Sequence, residues 1–517
     1  MNMVKSLILG SAAALVAVGG AQAADLPVKA KAIEYVKVCS LYGPGFYYIP
    51  GTDTCIKLGG YLRVDVLANT NSDDTGNTSG AGAAGNRFTN GYTWRSREDL
   101  NVDTRTATEY GVVRTFFDAT FSWTTDSYAG AGNGSTIYSP IGTTQAPNNA
   151  NAGAVAGGTV GVYYAFIQFA GFTIGKAVSQ FSTPWANYPG NSYDGLVGGG
   201  GTITGVNQFT YTADFGNGTS LSLSAQDQTQ YYQAGVQNLG VLTSPYGASD
   251  YAGTIAPDLV AMLRVDQAWG LFQASFAAHD NHAAYFGGSE LTGHPDDKWG
   301  WAGQLALSIK NIPTGPGDTI NVQGVYTNGA SRYNIQDLAG SAGANTIFGH
   351  TNLPGAYQSI GFGIAPDSVF IPGGQQQLVT TYGMRGAYVH NWSPNWNTSI
   401  YGAWAQVNYN STAKTYICGA SGTGVDGTWG AVFGAAGVAG MTSCNPNYSI
   451  AQLGTQTQWT PVKNLTFSAD FTYTHLDQNY AGTLAFPGTA SIGKPAAVYE
   501  LKNQDTFLLL LRAQRNW

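Results

Sequence analysis

Ile56–Leu67 reads IKLGGYLRVDVL. Its even positions Ile56, Leu58, Leu62, Val64 and Val66 are apolar, while its odd positions carry Lys57, Tyr61, Arg63 and Asp65. Successive side chains of a β-strand point to opposite faces, so this segment is a strand with one apolar and one charged face. The pattern returns along the chain. Trp94–Asp103 sets Trp94, Leu100 and Val102 against Arg95, Arg97, Asp99, Asn101 and Asp103. Tyr110–Trp123 places Val113, Phe117, Phe121 and Trp123 opposite Arg114 and Asp118. Leu259–Gln267 sets Leu263 and Val265 against Arg264 and Asp266. Leu465–His475 sets Leu465, Phe467, Phe471 and Tyr473 opposite Ser468, Asp470 and Thr472.

Alternation alone also suits a soluble sandwich; the connections discriminate. Tight turns fall near Asp103–Thr106, Ala170-Gly171, Asn217-Gly218, Ala268–Gly270, Asn311–Gly317, Trp392–Asn395 and Pro461–Asn464. Between them lie long polar stretches at 69–92, 124–159, 180–205, 228–257, 281–299, 328–376, 410–448 and 477–503. Seven short and eight long connections give sixteen strands with both chain ends on the short-turn side. The fold class is all-β, a 16-stranded antiparallel transmembrane β-barrel with short periplasmic turns and long extracellular loops. An even count lets the first and last strands pair, leaving no strand edge in lipid. Gln504–Trp517, another alternating strand, ends on an aromatic ring, as a barrel's closing strand does.

Composition agrees. Only 10% of the 517 residues are charged, while Gly reaches 70 and Tyr 31, a mixture unlike soluble helical domains and too aromatic for disorder. Mean hydropathy is -0.10. After the N-terminus no stretch approaches about 20 continuous apolar residues, which excludes a helical bundle. Lys5, the apolar run Leu7 to Val18 and Ala21-Gln22-Ala23 form the three parts of an export signal, with the mature chain starting at Ala24. Cys39, Cys55, Cys418 and Cys444 suit an oxidising compartment, and pairing by proximity is one of three connectivities. A closed loop of about 15 residues would contribute about 3 kcal/mol. The domains are then 1–23 signal, 24–55 a periplasmic-side segment and 56–517 barrel. The formal charge of -7 comes without the basic clustering that nucleic acid requires.

Several blocks resemble the alphaproteobacterial porin family. They are Ala24–Lys29, Val38–Gly43, Gly51–Lys57, Phe166–Thr173, Thr457–Lys463 and the closing Gln514–Trp517, spread over the mature chain. The family usually ends in Phe; here Trp517 holds that place as the assembly signal. The resemblance implies a homotrimer in the outer membrane, in contact with lipid and lipopolysaccharide and built by the barrel-assembly machinery. It also implies that the third extracellular loop, 180–205, folds into the lumen.

The expected function is a passive, water-filled pore for small hydrophilic solutes and ions, with no cofactor and no bond chemistry. Its working parts are charges at a constriction. Parity sends Arg63, Arg95, Arg97 and Arg114 into the lumen from three consecutive strands, a basic wall unless Asp65, Asp99 and Asp118 merely neutralise it. Asp194, the acid of the third loop beside Pro184, Trp185 and Tyr193, would oppose that wall or be an ordinary surface acid. Lys57 belongs near the periplasmic rim, and Arg264, Arg385, Asp470 and Arg512 face inward from distant strands. Lys176 faces outward by parity.

A solute-selective channel for sugars or organic acids would want an ordered aromatic track. Tyr61, Tyr110, Phe116, Tyr164 and Phe166 face the lumen but show no order in sequence. An outer-membrane hydrolase lacks a nucleophile signature among the six His residues. A surface-display barrel would also suit the Gly/Thr/Asn-rich loops. Gly198–Gly201 lacks the Lys-Ser/Thr and helix of a phosphate loop. His279 and His282 are spaced for a helix, not a strand, and Asn69–Asp74 reads as a polar loop rather than a cation site.

Overall fold

The computed structural model describes residues 37–70, 92–124, 159–185, 188–193, 195–200, 204–227, 233–335, 346–350, 359–487 and 496–517. The export signal at 1–23 lies outside them. Sixteen strands form one closed antiparallel barrel: β1 (Cys55–Asn69), β2 (Tyr92–Thr108), β3 (Gly111–Thr124), β4 (Thr159–Phe169), β5 (Phe172–Ala177), β6 (Val206–Asp214), β7 (Thr219–Gln226), β8 (Asp258–Gln267), β9 (Gly270–Asn281), β10 (Lys298–Lys310), β11 (Thr319–Asn328), β12 (Thr380–Ser393), β13 (Trp396–Asn408), β14 (Tyr448–Val462), β15 (Leu465–Gln478) and β16 (Gln504–Asn516). The seven tight and eight long connections alternate as the sequence reading expected.

Closure is made by β16 against β1, with Tyr61 opposite Asn516 and Asp65 opposite Arg512. The Trp517 amide donates to the Gly60 carbonyl at 3.1 Å. A Cβ at Gly60 would collide with the Asp99 carbonyl and crowd the Trp517 ring, so the seam requires glycine there.

The outer face carries two aromatic rows. Phe276, Trp301, Tyr326, Tyr382 and Trp404 follow one another on neighbouring strands, with centroids 6.3, 5.2, 6.2 and 5.7 Å apart. Near the tight turns, Trp396, Trp459 and Phe467 sit 5.7 Å apart in sequence. Trp396 and Trp404 lie eight residues apart on β13. That is about 27 Å along the strand and roughly 20 Å of height at a barrel's tilt. Between the rows project Leu305, Met384, Ile400 and Leu453, all exposed. Two aromatic girdles bounding such a band are what a bilayer's two interfaces select.

Both disulfides join sequence neighbours, Cys39–Cys55 and Cys418–Cys444. The first pins a short segment under the periplasmic mouth, where a two-residue strand, Tyr47–Tyr48, extends the sheet at the start of β1. The second ties α1 (Ser411–Cys418) to the segment after α2 (Thr428–Val438) in the extracellular cap. The cap has its own core. Trp429 is fully buried, its ring 4.9 Å from Phe362 and 4.7 Å from Tyr480. Replacing Cys418 and Cys444 together by serine should raise protease cleavage between residues 411 and 444 several-fold while leaving the barrel folded, since a loop of this length loses about 3 kcal/mol of constraint. Equal cleavage rates would mean that the aromatic core alone holds the cap.

One turn departs from the sequence reading. The first tight turn is at Glu109-Tyr110, not Asp103–Thr106, and β2 runs on to Thr108. Thr104 and Thr106 occupy the outward positions there because the strand has left the apolar band, so polarity rises while the hydrogen-bonded ladder continues. Tyr110, read as facing the lumen, sits in this turn and is 73% exposed.

Candidate functional site: the lumen between the third loop and the first four strands

On β2 every second side chain points inward: Arg95, Arg97, Asp99, Asn101, Asp103 and Arg105. Arg63 lies opposite Arg97, Asp65 opposite Arg95, and Arg105 opposite Arg114 of β3. The four arginines named from parity therefore occupy two levels. Arg63, Arg95 and Arg97 share one; Arg114 lies with Arg105 near the periplasmic turn, about 27 Å away along the strand.

Their partners differ as much as their heights. Arg95 is sunk into the wall, 3% exposed, donating to Asp65, which also accepts from Arg512 Nε at 2.7 Å. Arg63 Nε donates to Gln514 at 2.8 Å and its guanidinium lies over the Tyr61 ring, 4.3 Å from the centroid. Arg97 Nε donates to Ser122 at 2.8 Å and lies 5.5 Å from the Tyr163 centroid. Arg114 is held by Asp103 at 3.0–3.1 Å and by Gln168 at 2.9 Å. Lys57 does lie at the periplasmic end, its ammonium 5.9 Å from the Phe46 ring. Lys176 is on the outer side, donating to the Val162 carbonyl at 2.6 Å.

The third loop does enter the lumen. From β5 it passes along the inner face of β9 to β16, fastened by amide side chains. Gln304 donates to the Phe181 carbonyl at 2.9 Å, Gln323 accepts from the Trp185 indole at 2.6 Å, and Asn321 donates to the Pro189 carbonyl at 2.9 Å. At the far side Asp470 accepts the Ser192 amide at 2.6 Å and the Tyr193 amide at 3.1 Å. Arg512 donates to the Ser192 carbonyl at 3.4 Å, and Tyr188 comes within electrostatic reach of Arg63. On the return, the Val197 amide donates to Gln452 at 2.9 Å, and Arg385 donates to the Leu196 carbonyl at 3.3 Å. Gly198 and Gly199 both donate to the Asn334 carbonyl at 3.1 Å. Gly198 has φ +84, and a Cβ there would run into the Met384 backbone, so the glycine run serves close approach to the wall. Asp194 lies outside the described residues.

The aperture is thus bounded by the third loop on one side and β1–β4 on the other. Sequence parity missed one contributor. A bulge in β4 pairs Asp118 with Tyr164 and Ala119 with Val162, leaving Tyr163 unpaired. Both tyrosines then face the lumen, Tyr163 beside Arg97 and Tyr164 beside Phe116 at 6.2 Å. Arg264 makes a local pair with Gln273 at 2.9 Å, away from the aperture.

At the extracellular mouth His279 is fully buried between Asp258, at 2.9 Å from Nδ1, and Asp367, at 3.5 Å from Nε2. Tyr251 donates to Asp367 at 2.7 Å and Tyr333 to Asp258 at 2.6 Å. Burial, reinforced by Asp367, pushes the Tyr251 phenol well above its usual range, so it remains a donor. His279 therefore ties the fourth and sixth loops to the rim. His282 instead reaches Asp297 at 2.7 Å.

The sequence profile of the Porin subfamily matches residues 25–510. The chain belongs to that subfamily. Porin Omp2b of Brucella suis biovar 1 (strain 1330) and of Brucella abortus (strain 2308) are each 35% identical over 282 residues, 54% of this chain and 66% of theirs. The match thus spans just under two thirds of these relatives. The outer-membrane channel DcaP of Acinetobacter baumannii superposes with a TM-score of 0.54 at 14% identity, covering 91% of this chain and 99% of its own, a likeness of fold. The porin is an outer-membrane β-barrel of a Gram-negative bacterium.

Proposed function

We propose that this porin is a passive diffusion pore for small hydrophilic solutes and ions, narrowed by the third loop and biased toward anions by Arg63 and Arg97. The observation that carries the reading is the opposition just described: a loop fastened to β9–β16 leaves β1–β4 facing open lumen. Arg63 and Arg97 work at the aperture. Arg95 is neutralised within the wall by Asp65, and Arg114 acts with Arg105 at the exit. A polar path with a charged constriction discriminates by size and field and needs no bond chemistry.

The test is single-channel recording in a planar bilayer. Steady conductance without added substrate is expected, and a closed channel would reject the reading. Arg63→Ala with Arg97→Ala should move the reversal potential in a salt gradient toward cations by roughly 10–20 mV, since two of the aperture's fixed cations are gone. Arg95→Ala alone should move it far less. An unchanged potential in the double variant would remove both residues from the constriction.

Assembly as a homotrimer is part of the proposal. β5 and β7 have only 6 and 8 residues, and β6 between them has 9. A tilted transmembrane strand takes about 9–11. On their outer face two tiers of apolar side chains, Phe172 with Tyr211 and Ile174 with Phe209, give way to Lys176 beside Asn207. A neighbouring copy against this low sector would keep Lys176 and Asn207 out of lipid. Lipid, lipopolysaccharide and the barrel-assembly machinery remain the expected further partners.

A further inference from the structure

We propose that the β1–β4 wall is a binding strip for organic acids whose carboxylate is carried on a flat, unsaturated ring. The proposal rests on the open-pore reading and adds a solute class to it.

The first support is an asymmetry of depth. The wall's carboxylates are sunk: Asp65, Asp99, Asp103 and Asp118 are 0, 3, 7 and 8% exposed. Arg63 and Arg97 are only half-buried, and the Arg105 and Arg114 side chains are 29 and 28% exposed. A solute passing this wall meets guanidinium groups, with the acids behind them.

The second support is what the guanidiniums lie on. Arg63 covers Tyr61, Arg97 lies at Tyr163, and Arg114 lies 5.0 Å from the Phe116 centroid and 5.5 Å from that of Phe166. The rings are contiguous. Phe116 is 5.4 Å from Phe166 and 6.2 Å from Tyr164. Between the two arginine levels β3 and β4 therefore present a run of aromatic faces, set beside the polar Asp99, Asn101 and Asp103 of β2. The β4 bulge leaves one residue of the ladder unpaired and turns a second tyrosine onto this run, the re-aiming that bulges perform beside functional sites.

Carboxylates are recognised by guanidinium edges, and flat rings by aromatic and guanidinium faces. A molecule offering both groups matches the strip at both. A sugar could lie on the rings, but it carries no charge for the guanidiniums, and the carboxylates that would accept from its hydroxyls lie under the surface. An inorganic anion would use the arginines and be indifferent to the rings.

The test compares benzoate with cyclohexanecarboxylate, equal in charge and near in size but puckered, and with chloride, by reversal potential and current interruption in single channels. Benzoate should interrupt the current at roughly tenfold lower concentration than cyclohexanecarboxylate. Tyr163→Ala, or Phe166→Leu if that variant does not assemble, should bring the two acids together. Phe209→Leu, on the outer face of β6, should leave the preference intact. An open channel that treats both acids alike overturns the proposal and spares the pore; so does a preference that survives loss of the rings. A channel closed to chloride overturns both.

Discussion

Replacing Asp470 by alanine is expected to raise single-channel conductance roughly twofold and to make the open current noisy, because the third loop loses its far anchor. Asp470 is fully buried on β15. Its carboxylate accepts the Ser192 and Tyr193 amides at 2.6 and 3.1 Å and the Tyr401 hydroxyl, and Gln456 approaches it at 3.4 Å. Alanine strands two backbone donors in the wall, the Ser192 and Tyr193 amides, while the Tyr401 hydroxyl keeps Thr472 and the Phe471 carbonyl. Each buried donor without a partner costs about 1–3 kcal/mol, and the loop avoids that cost by lifting its tip into water. The shoulders remain held by Gln323 and Gln452, while the tip keeps only its side contacts with Arg512, Gln456 and Ser399, so the tip loosens most. Asp470→Asn keeps one good acceptor and should lie between. Liposome swelling with sugars of increasing size checks the same point, and should show a larger exclusion size for the alanine variant. Wild-type conductance and exclusion in Asp470→Ala would show that the other hydrogen bonds suffice to fix the aperture.

The sequence carries some of these features plainly and others not at all. Parity in Ile56–Leu67 and Trp94–Asp103 assigns the inner faces of β1 and β2, because lipid outside and water inside impose opposite demands on alternate residues. Counting connections yields sixteen strands for the same reason: loops and turns differ in length by compartment. Height along the barrel is harder. Parity groups Arg114 with Arg95 and Arg97, but its level is set by the turn at Glu109-Tyr110, and Thr104 and Thr106 obscure that turn by extending β2 into water. Tyr163 was invisible to a period-two reading, since a bulge is the place where the period fails; two adjacent tyrosines beside Gly161 were the available hint. Loop anchors such as Asp470 join residues 278 apart in sequence, and no local pattern carries that information.

Asp65→Ala should give the largest loss of stability of any single lumen substitution considered, together with a gain in anion preference. Asp65 accepts from Arg95 of β2 and Arg512 of β16, so one carboxylate on β1 spans the seam where the barrel closes. The Arg95 and Arg512 side chains are 3 and 9% exposed. Removing the acid leaves two guanidiniums facing each other in a poorly hydrated wall. Breaking a buried ion pair by deleting one partner typically costs about 3–5 kcal/mol. The temperature at which the folded band disappears on gels in detergent should fall by roughly 5–10 °C. Adding Arg512→Met should recover part of that loss, because one of the two uncompensated charges goes with it. The electrical readout has the opposite sign from Arg63→Ala with Arg97→Ala: the released arginines add positive charge to the lumen, and the reversal potential moves toward anions. A barrel that melts like wild type would mean that the hydrogen-bonded ladder between β1 and β16 holds the seam alone. One that melts early with an unchanged potential would place Arg95 and Arg512 outside the path of the ions.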